Sequence, residues 1–191
     1  MSEELNMWGI TGDTVSEESS SKFMAPGINE GTFVTKIEFV IDPSNPYLLI
    51  EMENTEGKTV NRRYFQPKID GNIVKDAKDL KKAAEKIVKV IANLARKFKG
   101  ETYVCTGTDF ASLCRNVIAD IGDSYKGKVL RTKVLLNKQN YPVLPAYAPI
   151  WEDSSVISPE HTKLEINDID KVKKSEQNAD DDSAKPTAWT M

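Results

Sequence analysis

Apolar and polar residues alternate along residues 31–65 in three runs separated by turn residues. Alternation with a period of two is typical of a strand that buries one face. In the first run one parity holds Phe33, Ile37, Phe39 and Ile41. The intervening sequences DPSNP and EG favour tight reversals. The pattern therefore predicts a three-stranded meander, made of GTFVTKIEFVI, YLLIEMEN and KTVNRRYFQP.

The apolar period changes to that of a helix between residues 76 and 99. Apolar side chains recur there at spacings of four and three: Leu80, Ala84, Ile87, Ile91, Leu94 and Phe98. Asp76 suits the N-cap of this helix and Gly100 its C-terminal end. The other side carries lysines, which fit either a solvated helix surface or a direct DNA contact: Lys78, Lys82, Lys86, Lys89 and Lys97.

A shorter helix is predicted at residues 110–121, followed by a strand in GKVLRTKVLLN. The next run, YPVLPAYAPIWED, contains three prolines, which restrict it to an edge or barrel-closing position. The predicted fold is therefore mainly β with α. It is a five-stranded barrel like the oligonucleotide-binding (OB) fold, with a two-helix insertion between strands 3 and 4.

Composition divides the chain into three regions. Residues 1–22 and 171–191 are polar and poor in apolar side chains, so we expect a flexible N-terminal segment and a disordered acidic tail around a domain at 23–170. The overall charge is −3, but residues 58–138 hold 19 Lys and Arg against 8 carboxylates. A basic middle between acidic ends points to a polyanionic partner.

The sequence offers little for catalysis. Cys105 and Cys114 have no neighbouring histidine, and His161 is the sole histidine, so we predict no metal site, no cofactor and no nucleophile–base pair. A metal-dependent nuclease built on Glu51, Glu53, Glu56 and Lys58 stays a rival hypothesis. The chain has no run of about 20 apolar residues. We therefore expect a cytoplasmic protein with no membrane partner.

Cations adjoin aromatic residues on two of the predicted strands. Such pairs suit single-stranded nucleic acid, since cations neutralise phosphates and flat rings stack on bases. The candidate nucleic-acid-binding residues are Tyr47, Arg62, Arg63, Tyr64, Lys68, Lys128, Arg131, Lys133 and Trp151. Two alternatives stay open at this point. The aromatic rings, Phe65 especially, also suit the barrel interior, and strand parity does not decide whether Arg62 or Arg63 faces solvent.

The pattern from GTFVTKIEFV through YLLIEMEN, NRRYFQP, the long helix and GKVLRTKVLLN to YPVLPAYAPIWED resembles bacteriophage single-stranded-DNA-binding proteins of the OB-fold type. The resemblance covers residues 23–153. It implies a basic, aromatic groove and an acidic C-terminal tail that recruits replication and repair proteins. Here the tail holds Asp180, Asp181, Asp182 and Trp189. In this chain SAKPTAWTM separates the acidic run from the terminus, unlike the compact acidic end of bacterial relatives.

We therefore expect a non-catalytic protein that coats single-stranded DNA with low sequence specificity in phage replication or recombination. Its location would be the cytoplasm of an infected bacterial host, and its tail would recruit partners or compete for the groove. The oligomeric state stays open. The main rival is a protein–protein interaction module or phage structural protein, in which the basic stretch is only surface.

Overall fold

The computed structural model describes residues 21–155, 161–167 and 170. The two helices follow the third strand and precede the fourth in the chain. The strands are β1 (Gly27–Val40), β2 (Tyr47–Asn54), β3 (Thr59–Phe65), β4 (Leu130–Leu136), β5 (Pro142–Val143) and β6 (Trp151–Asp153). The helices are α1 (Ala77–Lys99) and α2 (Phe110–Ile121).

The strands pair antiparallel in the order β3-β2-β1-β4-β5. Strand β6 also pairs antiparallel with β4, on the edge of β4 opposite to β1. Two side chains of β3 reach the chain just after β5, since Arg62 donates to the Leu144 carbonyl at 2.6 Å and Tyr64 to that of Pro145 at 2.9 Å. The sheet thus curls into a nearly closed five-strand antiparallel barrel. The predicted mainly β fold with two helices is confirmed, and it is compatible with an OB-like architecture.

Two irregularities interrupt β1, which pairs with β2 on one edge and with β4 on the other. Its register shifts between Val34 and Lys36 against β2, and between Asn29 and Thr32 against β4. Gly31 lies in the second irregularity with a φ of 62°, a conformation that glycine adopts without strain. An extra residue in a strand increases its local twist. As a result, β4 pairs with the first half of β1 only, and residues 36–40 of β1 pair with β2 alone among the described residues.

The helices close the barrel core. Asp76 caps α1 by accepting from the backbone N–H of Asp79, and Gly100 ends it. The C-terminal half of α1 is pinned to the barrel by Asn93, whose side chain accepts from the backbone N–H groups of Ile150 and Trp151 at 2.8 and 3.1 Å. The buried core contains apolar side chains from both layers, including Val34, Ile50, Met52, Ile91, Leu94, Val117, Leu130 and Val134.

The proline-containing run forms less strand than its length allows. Only Pro142–Val143 and Trp151–Asp153 pair, because the prolines between them lack the N–H that a ladder needs. Residues 161–167 have no regular secondary structure, yet Leu164 is buried against the barrel. Neither α1 nor α2 is long and apolar enough to cross a bilayer.

Candidate nucleic-acid interface

The outer surface of the β1–β3 sheet presents alternate residues of each strand to solvent. In β3 the exposed residues are Thr59, Asn61, Arg63 and Phe65, and the intervening Val60 and Tyr64 are buried. In β2 the same alternation leaves Tyr47, Leu49, Glu51 and Glu53 on the outer side. The two glutamates lie toward the β2–β3 turn, so the aromatic end of the sheet is the end that suits an anion.

Tyr47 and Phe65 form a pair of accessible rings at that end. They are directly opposite each other in the β2–β3 register, and their ring centroids are 5.3 Å apart with an interplanar angle of 57°. Phe65 keeps 45% of its surface exposed. We call Tyr47 and Phe65 the aromatic platform.

A guanidinium group lies beside the aromatic platform. The Arg63 Cζ atom is 5.2 Å from the centroid of the Tyr47 ring, within the range of a cation–π interaction. Among the described residues, no carboxylate oxygen lies within 4.0 Å of a guanidinium nitrogen of Arg63. Its charge is therefore available to a phosphate while its position is fixed by the ring.

The β1–β2 turn lies at the same end of the sheet as the aromatic platform. The Asp42 carboxylate accepts from the backbone N–H of Ser44 at 2.8 Å and from its hydroxyl at 2.5 Å, and these bonds lower the pKa of Asp42. The Gln66 N–H donates to the Pro46 carbonyl at 2.9 Å, and the exposed Lys68 reaches the Ser44 carbonyl at 3.5 Å. Lys68 thus lies at the same end of the sheet as the aromatic platform.

Arg62 and Tyr64 face the interior, which resolves the ambiguity that parity left open. Both side chains bond carbonyls at the barrel seam, as described above, and Tyr64 is only 3% exposed. Burial raises the pKa of the Tyr64 hydroxyl, which donates rather than ionises. The predicted stacking role of Tyr64 therefore does not fit its place in the core, and Arg62 closes the barrel.

Trp151 is also a core residue. Its ring is 1% exposed, and its Nε1–H points at the Met52 sulfur at 2.8 Å. The sequence-based assignment of Trp151 as a stacking residue is corrected on this point, since a ring without accessible surface offers no face to a base. Trp151 pairs directly opposite Thr132 of β4, which is itself buried, so the ring lies on the core side of the sheet.

The cations of β4 are engaged with carboxylates. Arg131 pairs with Glu30 at 2.8 Å and with the buried Glu152 at 3.1 Å. Lys133 is 2% exposed and pairs with Asp170 at 2.8 Å, while donating to the Glu165 carbonyl at 3.0 Å. The predicted nucleic-acid-binding role of Arg131 and Lys133 is corrected accordingly, because their charges are neutralised within the fold. These β4 cations hold Thr162, Glu165 and Asp170 against the barrel.

Lys128 has a similar structural role. Its ammonium pairs with Asp153 at 3.1 Å, donates to the Lys97 carbonyl and lies 6.0 Å from the centroid of the Phe98 ring. It therefore joins the end of α1 to β6. Of the nine predicted binding residues, the structure brings together Tyr47, Arg63 and Lys68.

Phe65 belongs to the candidate site, although the sequence analysis left open whether its ring fills the barrel interior. Its pairing with Tyr47 in the strand register was the signal that would have put both rings on one face.

Asp180, Asp181, Asp182 and Trp189 lie outside the described residues. Within the described ranges, no group of three or more histidine, cysteine, aspartate or glutamate side chains is arranged to hold a metal ion.

Glu56 pairs with Lys58 at 2.7 Å across the β2–β3 turn, and this bond lowers the pKa of Glu56. The pair stands at the far end of β2 from the aromatic platform.

Comparisons with known proteins add no family to this description, since no protein-family model matches the chain and no curated protein is significantly similar to it.

Proposed function

We propose that this chain binds single-stranded DNA without catalysing a reaction on it. The observation that supports the proposal best is the accessible ring pair of Tyr47 and Phe65 with the Arg63 guanidinium beside it. Every base has a flat face, so such a platform accepts any sequence, and a cation next to it neutralises the phosphate that accompanies the base. Low sequence specificity follows from the absence of base-edge recognition in this mode of binding.

The platform lies on the sheet surface formed by strands 2 and 3, which is the surface that OB folds use for oligonucleotides. The sequence resemblance to phage single-stranded-DNA-binding proteins supports a role in phage replication or recombination. In this proposal the acidic tail with Asp180, Asp181, Asp182 and Trp189 recruits partners or competes with DNA for cationic surfaces. Removing the tail tightens DNA binding if it competes and leaves the affinity unchanged if it only recruits.

The deciding experiment is a fluorescence titration of labelled oligo-dT with the full chain across a salt series. We expect saturable binding that weakens as salt rises, because phosphate contacts release counterions. Oligo-dT that stays unbound at low salt would contradict the proposal. Incubating single-stranded DNA with the protein and Mg²⁺ or Mn²⁺ tests the nuclease hypothesis, and intact DNA is the expected result.

A specific groove favours a second candidate function, a protein-interaction module. Toward α2, residues 36–40 of β1 have an edge that pairs with no strand in the described part of the chain, and Ile37, Phe39, Ile41 and Ile118 line the groove beside it. Ile41 is 72% exposed. An extended apolar peptide could pair with such an edge. Failure to bind oligo-dT, together with loss of a bound partner on Ile41→Lys, would favour this function.

A further inference from the structure

The first half of α1 carries cations that the protein leaves without carboxylate partners. Lys78, Lys81, Lys86 and Lys89 are all exposed, and none of them forms an ion pair among the described residues. Lys82 has only a long contact, with its Nζ 3.8 Å from Asp79. Several other described lysines are neutralised at short distance, as at Lys36–Glu38, Lys126–Asp123 and Lys128–Asp153. The exposed lysines of the first half of α1 instead form a group of neighbouring cations without a close counterion.

The carboxylates of this region do not compensate. Asp79 and Glu85 are the only ones within α1, and Asp76 is occupied as the N-cap. Lysines at spacings of four repel each other along the helix, whereas carboxylates alternating with them would stabilise it. Repeated like charge without neutralisation is typical of a surface that meets an anion.

The lysines form one stripe with a fixed orientation. Lys78, Lys82, Lys86 and Lys89 follow each other at spacings of four, four and three, so they share one side of the helix over about 16 Å. At the roughly 3.4 Å spacing of phosphates along a base-stacked strand, that length matches about five phosphates. The opposite side of α1 packs on the core through Val90, Ile91 and Leu94, and Asn93 ties the helix to the barrel. The stripe is thus held rigidly outward. We call these four residues the lysine stripe.

We propose that the lysine stripe is a second nucleic-acid contact, which binds the sugar-phosphate backbone without using the bases. This inference rests on the proposed function, since it takes the polyanion to be the same single strand. Residues 66–76, with Lys68 and Lys75, join the strand of the aromatic platform directly to α1. The platform then supplies base stacking, and the stripe supplies charge.

The test compares the full-length protein with the variant K78Q/K82Q/K86Q/K89Q, in which glutamine keeps the helix propensity. Two probes are titrated across a salt series: oligo-dT and a base-free abasic oligomer of equal length. The matched control K22Q/K99Q/K138Q/K163Q removes the same charge from exposed lysines outside the stripe that likewise form no ion pair among the described residues. We expect the stripe variant to lose affinity for both probes, on the order of 100-fold at 0.1 M salt, and its salt slope to fall by up to about 3.

The outcomes separate this inference from the proposed function. An unchanged salt slope, or a loss equal to that of the control, overturns the stripe. The stripe is also overturned if the variant loses binding to phosphatidylserine vesicles but keeps its affinity for the abasic oligomer, because the partner is then a membrane surface. By contrast, if substitutions in the platform leave oligo-dT binding intact while the stripe variant loses it, the platform fails and the stripe stands.

Discussion

The ammonium of Lys133 lies 2.8 Å from the Asp170 carboxylate, and both side chains are buried. Tyr147 adds a hydroxyl that donates to the same carboxylate, and its ring centroid is 5.1 Å from the Lys133 Nζ. A lysine enclosed in this way cannot reach a phosphate. The pair instead fixes Asp170 to β4, so Lys133 has a structural role.

Breaking this pair should destabilise the fold strongly. Lys133→Met leaves a buried carboxylate without its counterion, and such a change costs about 3–5 kcal/mol. The double variant Lys133→Met with Asp170→Leu should recover much of that loss, because neither charge then remains buried. Urea unfolding followed by circular dichroism measures both effects. Lys138→Met, on the exposed turn between β4 and β5, is the control and should change the free energy of unfolding little. Equal losses in the single and double variants would contradict the coupling.

The aromatic platform should contribute stacking energy to DNA binding. Tyr47→Leu and Phe65→Leu each remove a ring worth about 1–3 kcal/mol per stacked base, which is roughly a five- to hundredfold loss of affinity. The salt slope should not change, because no cation is removed. Oligo-dT titration checks this, with Tyr141→Leu as the matched control, since Tyr141 is an exposed aromatic residue away from the platform. An equal loss in the control would point to a general rather than a local effect.

Trp151 should affect stability but not DNA affinity. Its ring fills the core against Met52, so Trp151→Ala should lower the free energy of unfolding by about 3–5 kcal/mol, and Trp151→Phe should lower it less. Measured well below its melting temperature, the Trp151→Phe protein should bind oligo-dT like the original. A loss of affinity in a fully folded Trp151→Phe protein would restore the stacking role that its burial argues against.

The N-cap of α2 should give stability that depends on pH. The Asp109 carboxylate accepts from the backbone N–H of Ser112 at 2.7 Å, and the Ser112 hydroxyl accepts from the Asp109 N–H. The bond from the Ser112 N–H to the carboxylate lowers the pKa of Asp109 below its ordinary value of 3.8. A lowered pKa contributes stability that is present above pH 3.8 and is lost as pH falls through the folded-state value. Asp109→Asn keeps an acceptor but does not titrate. Thermal melts between pH 2 and 6 should therefore show a weaker acid dependence for this variant, with unchanged pH dependence as the contrary result.

Local sequence determined the elements because their signals are local. The period of α1, with Asp76 and Gly100 at its ends, predicted its bounds to within a residue. Strand parity placed Tyr64 on the opposite face of β3 from Arg63, but it did not decide which face is buried. Alternation also predicted the three-stranded meander. The irregularity in β1 was not predictable from alternation, and it moves Phe33 to the opposite face from Ile37 and Phe39.

Only the tertiary structure decided which cations and rings are accessible. Arg63 and Arg62 are adjacent in sequence, and their roles differ because one faces solvent beside Tyr47 and the other reaches across the barrel seam. The partners of Arg131 and Lys133 lie at least 21 residues away in the chain, at Glu30, Glu152 and Asp170. Charge neutralisation depends on distances in space, which composition does not encode. The sequence therefore determined the elements and the charge distribution, whereas the folded barrel decided which charges remain available to a ligand.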